Sequence, residues 1–511
     1  MPSNNNTNTS GTAALRRRPF LKQILAAGAF PFIAGALPAN LAAAATKKTD
    51  TAGADDAGHP TSGASQKIRI AYIGIGNQGA ADIKQFEKTG LTEVVALCDT
   101  ELGHHRTVAT IKQFPKAKLY RDFRRLLDEN ARDLDAVLVA TPDFSHFPAA
   151  MLALSLGLHV YVEKPVAHTF DQIDLLIAAA AKYKTRTGAA LVTQMGNQGH
   201  SSANYYQFKN WAEAGILKNI TRINAHMNND RRWHWAKKPE FRGLDNYFPA
   251  ELAPDWLDWN AWLATASDHP CSTRYLDGEW RCWFDFGNGA LGDWGAHIFD
   301  TAHEFLRLGY PTEVAAVKLD GWNKFVFPQA TTLQFKFPAR DAANPALDLW
   351  WYDGMENLPP LPAGAGAIEE DKSIPTPGGG TGGRAKKNPP PGKELYRADG
   401  AIFQGGSHGS VLKQIAGAGE NYPDYRKDKP DAHYGNFLRS ILGEEQPHSP
   451  FAVSGPLCQT MAIGIIAQRV CRPGETLKFD AKAKRITNNA AANALLAHIP
   501  PRAGWEQFYK L

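Results

Sequence analysis

The chain has 511 residues, 43% of them hydrophobic, enough apolar side chain to bury a large core, and its length argues for two to three domains. Its 56 basic and 51 acidic residues give a net charge of +5 with no basic tract beyond the N-terminus, which argues against nucleic-acid binding. Five cysteines, Cys98, Cys271, Cys282, Cys458 and Cys471, form no metal-like cluster, and their odd number argues against a disulfide framework; no metal site is expected.

Residues 1–45 have a basic start, a moderately apolar middle and a small-residue end, the pattern of an export signal. Arg17 and Arg18, followed by Pro19, Phe20, Leu21 and Lys22, resemble the twin-arginine pattern that addresses folded proteins to the Tat translocase. The apolar run is broken by Pro31 and Pro38 and is short for a membrane span, so cleavage among Ala42 to Ala45 and a periplasmic or otherwise exported product are expected. An uncleaved signal would tether the protein to the membrane instead. Residues 46–66 are polar, rich in Gly, Ala, Ser and Thr, and read as a disordered tether.

From Lys67 the runs "KIRIAYIGIG", "TEVVALCD", "DAVLVATP", "LHVYVEKP" and "AALVTQMGN" alternate with helix-length segments, predicting βαβ units and a parallel sheet over residues 67–190. Gly74, Gly76 and Gly79 form G-x-G-x-x-G between the first strand and first helix, where glycines permit a tight turn, close approach to a pyrophosphate and close helix–strand packing. Asn77 and Gln78 lie inside that motif. The second strand ends in Asp99, twenty residues past Gly79, where a carboxylate accepts hydrogen bonds from ribose hydroxyls and repels a 2′-phosphate; NAD is expected rather than NADP. Thr141, Pro142 and His146 follow the fourth strand, at the edge where open α/β sheets bind ligands. An alternative is that Pro142 starts a turn and His146 caps a helix. Glu163, Lys164 and Pro165 end the fifth strand and would project toward the nicotinamide; Asn197, past the sixth strand, is a further expected cofactor contact.

After about residue 195 the pattern changes. Alternating segments at "TRINAHMN", "TEVAAVKLD", "TTLQFKFP", "LDLWWYDG" and "GAIFQGG" predict a second α/β domain, 191–490, with a large, mostly antiparallel open sheet. Helices are expected at 201–214, 295–307, 433–442 and 455–470. The Pro/Gly-rich stretch at 356–396 reads as an irregular insertion and 491–511 as a C-terminal tail.

The glycine fingerprint followed by E-K-P resembles the Gfo/Idh/MocA family, the glucose-fructose oxidoreductase and inositol dehydrogenase group. Gly292-Asp293-Trp294-Gly295-Ala296-His297 resembles that family's D-x-G-x-H element. The resemblance runs from about Lys67 to Lys482, the insertion excepted. It implies that Lys164 binds and polarises the reacting hydroxyl, that His297 takes its proton, and that Asp293 orients and assists. A spacing of four places Asp293 and His297 on one helical face, and an imidazole titrates near neutral pH. Taken singly, Lys164 also reads as a surface lysine and Asp293 as a helix cap.

"PDWLDWNAWLATAS" and "GEWRCWFDFGNG" resemble an exported bacterial subgroup. Trp233 and Trp235 offer sugar-stacking faces and Arg231 and Arg232 polar contacts, although such aromatics are commonly core. The reading is an exported, NAD-dependent oxidoreductase, expected to be a homo-oligomer, that acts on a sugar, glycoside or polyol with a tightly held cofactor. One alternative is an NAD-dependent glycoside hydrolase or lyase working through transient sugar oxidation and elimination; "QMGNQGHSS" stands where a tyrosine-bearing stretch is expected in the best-known enzymes of that kind. A non-catalytic sugar-binding protein is opposed by the presence of both Lys164 and His297.

Overall fold

Six short apolar runs, β1 (Ile68–Ile73), β2 (Thr92–Cys98), β3 (Lys118–Tyr120), β4 (Ala136–Val139), β5 (His159–Val162) and β6 (Thr193–Met195), form a parallel sheet in the order β3-β2-β1-β4-β5-β6. The structure, a computed structural model, describes residues 67–229, 244, 246–276, 278–366, 389–419, 422–423, 425 and 432–510. The signal at 1–45, the tether at 46–66, Arg231, Arg232, Trp233, Trp235 and the middle of the insertion (367–388) lie outside the described residues.

Strands flanked by crossover helices are covered on both faces, and Ile70, Tyr72, Val137, Leu138, Val160 and Tyr161 are accordingly fully buried. The crossovers are helices Asn77–Lys88, His105–Gln113, Phe123–Asn130, Asp143–Ser155 and Phe170–Lys182. Local sequence starts two of them. Asp122 accepts from the Arg124 backbone N–H, and Thr169 with Gln172 makes a capping box. Strand order reverses between β1 and β4, so the carboxyl ends of those strands open onto a crevice. β6 carries the sheet past residue 190, where the sequence reading ends the domain.

The second sheet contains β7 (Ile220–Met227), β8 (Glu313–Asp320), β9 (Ala330–Phe337), β10 (Leu347–Asp353), β11 (Gly392–Arg397), β12 (Ile402–Gly406), β13 (Lys413–Ala416), β14 (Thr476–Asp480) and β15 (Arg485–Ile486). Its order is β13-β12-β11-β7-β10-β9-β8-β14-β15. β7 and β10 run parallel and the other neighbouring pairs antiparallel, as the alternating sequence predicts. β11 corrects the reading of 356–396 as wholly irregular: "GKELYR" pairs with both β7 and β12, and the Pro/Gly-rich stretch before it hides its pattern. The short edge strands β13 and β15, and β14 beside β15, are strands that the sequence does not announce.

Helix Phe451–Val470 lies in the core. It is apolar and long enough to cross a membrane, but most of it is buried in the protein. Gly464 permits its close approach to the sheet, because a Cβ there would lie 2.6 Å from the Phe335 ring.

Two distant segments complete the first domain. Helix Ala432–Ile441 sets Tyr434 and Phe437 against Phe86 and Tyr161, with Phe86 and Tyr434 rings 5.2 Å apart. Trp505 meets Phe123 at 5.9 Å and Tyr509 meets Phe147 at 4.6 Å, so the C-terminal tail is a packed element. The chain boundary near 190 is therefore not a packing boundary. Tyr434 and Phe437 pack over Tyr161 of β5 and Phe86 of the first helix.

Candidate active site

A cleft of about 600 Å³ runs from the glycine turn to the D-x-G-x-H segment. At its cofactor end Gly74 has φ +85°, and a Cβ there would lie 2.4 Å from the Ala140 carbonyl oxygen. A Cβ on Gly79 would lie 2.0 Å from the Gly74 carbonyl oxygen. These two glycines let the turn and first helix close on the sheet. Gly76 differs: the nearest atom to its Cβ position is the Arg106 Cβ, 3.4 Å away, so its missing side chain leaves a cradle facing the cleft. No side chain caps the helix that starts there, and its first backbone N–H groups suit a pyrophosphate.

Asn77 and Gln78 line this end, Gln78 also donating to Asp82 at 2.8 Å. Asp99 accepts from the backbone N–H of Ile75 and of Glu101, both at 2.9 Å, one on each oxygen. Each oxygen keeps a lone pair for a ribose hydroxyl. Cradle, helix start and carboxylate together fit a dinucleotide.

Thr141 and Pro142 line the cleft wall. His146 is nearly fully buried, with Nε2 at 2.8 Å from the Thr141 carbonyl and Nδ1 at 2.8 Å from the Pro165 carbonyl. It braces the end of β4 against the Glu163-Lys164-Pro165 segment. Burial lowers its pKa to about 4. Asn197 does not reach the cleft. It is buried and donates to Asp300 at 2.6 Å, whereas Gln198, the next residue, lines the cleft and donates to Glu163 at 2.9 Å. Burial raises Glu163 to about 7, and burial beside Glu163 raises Asp82 well above the usual carboxylate range.

At the far end Lys164, Asp293 and His297 converge. The Lys164 ammonium donates to Asp293 Oδ1. Arg281 Nη1 stands 3.3 Å from the same oxygen and 3.5 Å from Asp143 Oδ1, so Asp293 is held between two cations. Asp293 and His297 share the cleft side of their segment, but through a π-helical turn, Leu291–Gly295, that leads into helix Ala296–Ile298. Such turns recur at functional sites. Burial, and then His408 and Lys164, hold the His297 pKa well below the usual imidazole range. Its Nδ1 is buried with no hydrogen-bond partner among the described residues. Packing orients the ring: His408 lies flat on it with centroids 3.8 Å apart.

His408 sits between β12 and β13 at φ +43°, uncommon for a non-glycine residue. The loop is docked on the Gln198–Ser201 turn, where a Cβ on Gly199 would lie 2.7 Å from the Gly409 nitrogen. Arg281, Asp143, Gln198 and His408 escape the sequence reading. Arg281 lies inside "GEWRCWFDFGNG", so its neighbourhood carries a signal; "GGSHGS" around His408 carries none.

Residues 68–190 match the oxidoreductase-family model for an NAD-binding Rossmann fold, Gfo/Idh/MocA, and residues 204–323 match the family's C-terminal alpha/beta domain. A glycosyl hydrolase family 109 protein of Shewanella pealeana is 30% identical over 184 residues, 33% of this chain and 37% of that protein. An inositol 2-dehydrogenase of Salmonella typhimurium is 29% identical over 177 residues, 34% of this chain and 48% of that protein. These matches thus span less than half of each relative. The WlbA dehydrogenase of Chromobacterium violaceum, solved with NADH and UDP-GlcNAcA, superposes with a TM-score of 0.52 at 15% identity, covering 81% of this chain and 96% of that one, a likeness of fold. The first domain is an NAD-binding Rossmann domain.

Proposed function

We propose, from the Gfo/Idh/MocA oxidoreductase family that both domain matches support, that the protein uses NAD to oxidise a hydroxyl-bearing carbon of a sugar, glycoside or polyol. The convergence of Lys164, Asp293 and His297 at the end of the dinucleotide cleft carries this reading. NAD, when bound, supplies the hydride acceptor. Lys164 donates a hydrogen bond to the reacting hydroxyl oxygen and favours its alkoxide character. His297, neutral, accepts the hydroxyl proton. Asp293 fixes the ammonium in place, and Arg281 in turn holds the Asp293 carboxylate. Positioned acid–base groups of this kind contribute roughly 10²- to 10⁴-fold in rate.

A second reading is glycoside hydrolysis through transient oxidation, elimination, water addition and reduction. Two observations favour it: relatives that include family 109 glycosyl hydrolases, and a second imidazole, His408, beside His297. Oxidation acidifies the neighbouring carbon, and a site with two imidazoles has one group for each proton. Both readings begin with the same hydride removal.

The twin-arginine sequence at Arg17 and Arg18 supports export of the folded protein. The cofactor would then be loaded beforehand and held tightly. A panel of sugars, glycosides and polyols, assayed for both ketone formation and released aglycone, tests the function. Ketone with intact glycoside supports the dehydrogenase, released aglycone the hydrolase, and neither on any substrate contradicts both.

A further inference from the structure

We infer that Glu101 and His104 form a latch on Arg106, and that this latch, together with Asp99, sets the preference for NAD over NADP. Arg106 stands in the first turn of helix His105–Gln113 and lines the cleft with Gly76, Asp99 and Glu101. Its Cβ is 3.4 Å from the cradle that Gly76 leaves open. A guanidinium at this place, beside the ribose end of the groove, is the group suited to pair with a 2′-phosphate.

The structure turns it elsewhere. Arg106 Nη2 donates to Glu101 Oε2 at 2.8 Å and Nε donates to His104 Nδ1 at 3.1 Å. Both ion-pair side chains are sheltered, Arg106 10% and Glu101 17% exposed, so solvent screens the pair weakly. Burial and the Arg106 charge lower the His104 pKa, leaving its ring nitrogen free to accept. The loop is closed by Thr107, whose hydroxyl reaches the Glu101 and His104 carbonyls, both at 3.0 Å. Trp256 of the second domain covers the His104 ring at 4.6 Å.

The consequence is electrostatic. A 2′-phosphate entering this end would meet the Asp99 and Glu101 carboxylates, with Arg106 already neutralised. Arg121, which also lines this end of the cleft, donates to the Asp255 and Leu102 backbone carbonyls. Asp99 alone therefore does not carry the discrimination. Removing it leaves the latch shut.

Three variants test the latch: Asp99→Ser, Asp99→Ser with Glu101→Gln, and that pair with Arg106→Ala. Each is equilibrated with equimolar NAD and NADP, and the bound nucleotides are released and quantified, a readout that needs no substrate. Melting temperatures verify folding, and Glu101→Thr replaces Glu101→Gln if the latter fails to fold. Asp99→Ser alone should raise the NADP to NAD ratio modestly. Opening the latch should raise it by at least about tenfold more, and Arg106→Ala should remove that second gain. A double variant with no more NADP than Asp99→Ser, or a gain that survives Arg106→Ala, overturns the inference.

Discussion

Lys164 and Asp293, 129 residues apart in the chain, form an ion pair across the cleft between the end of β5 and the π-helical turn. Both side chains are sheltered, at 11% and 5% exposure, so the pair is weakly screened and each partner fixes the other. Asp293→Asn keeps the shape and removes the charge. We expect at least about a tenfold loss in kcat with nucleotide affinity little changed, measured by steady-state kinetics beside a binding titration.

His297 sets the pH dependence. Its pKa is depressed, so the ring is neutral, and able to accept a proton, throughout the neutral range. The rate should stay level as pH falls from 8 to the ordinary histidine value of about 6.5, and decline only below it as the imidazole protonates. His297→Gln should lower the rate roughly 10²- to 10⁴-fold and abolish that acid limb, which a pH–rate profile reads directly.

His408 holds the base by stacking, since Nδ1 of His297 has no hydrogen-bond partner among the described residues. His408→Phe preserves a flat ring and should retain more activity than His408→Ala, for which about a tenfold fall in kcat/KM is expected. Equal losses in the two variants would mean that the imidazole's own polar atoms are required.

The glycines separate packing from binding. Gly79→Ala forces a methyl to 2.0 Å from a backbone oxygen and should cost about 3 kcal/mol or more in stability. Gly76→Ala meets nothing closer than 3.4 Å and should fold normally, yet its methyl fills the pyrophosphate cradle and should weaken NAD binding. Thermal melts with and without NAD distinguish the two.

Much of this site is legible in the sequence because its parts are local. G-x-G-x-x-G, Asp99 and E-K-P each follow a strand, and a strand end in a parallel sheet fixes where a side chain points. Asp293 and His297 are readable from their spacing even though a π turn, rather than a plain helix, brings them to the cleft. What escapes is non-local. His408 reaches the site from a loop whose position depends on Gly199, more than two hundred residues earlier, and Arg281 pairs with Asp143 across 138 residues. Asn197 illustrates the limit of reading a strand end by residue: a shift of one position separates a buried partner of Asp300 from the cleft-lining Gln198. The aromatics at Tyr434 and Phe437 that complete the first domain lie in a helix the sequence does announce, but no local pattern assigns it to that sheet.

The central claim is that Lys164 acts on the reacting hydroxyl at the end of the NAD cleft. Lys164→Met, assayed on whichever sugar, glycoside or polyol supports turnover of the wild-type protein and titrated with NAD in parallel, tests it most directly. The account predicts a rate loss of roughly 10²- to 10⁴-fold with NAD affinity largely intact. A variant that turns over at a near-normal rate would contradict it and leave the lysine as no more than the end of a strand.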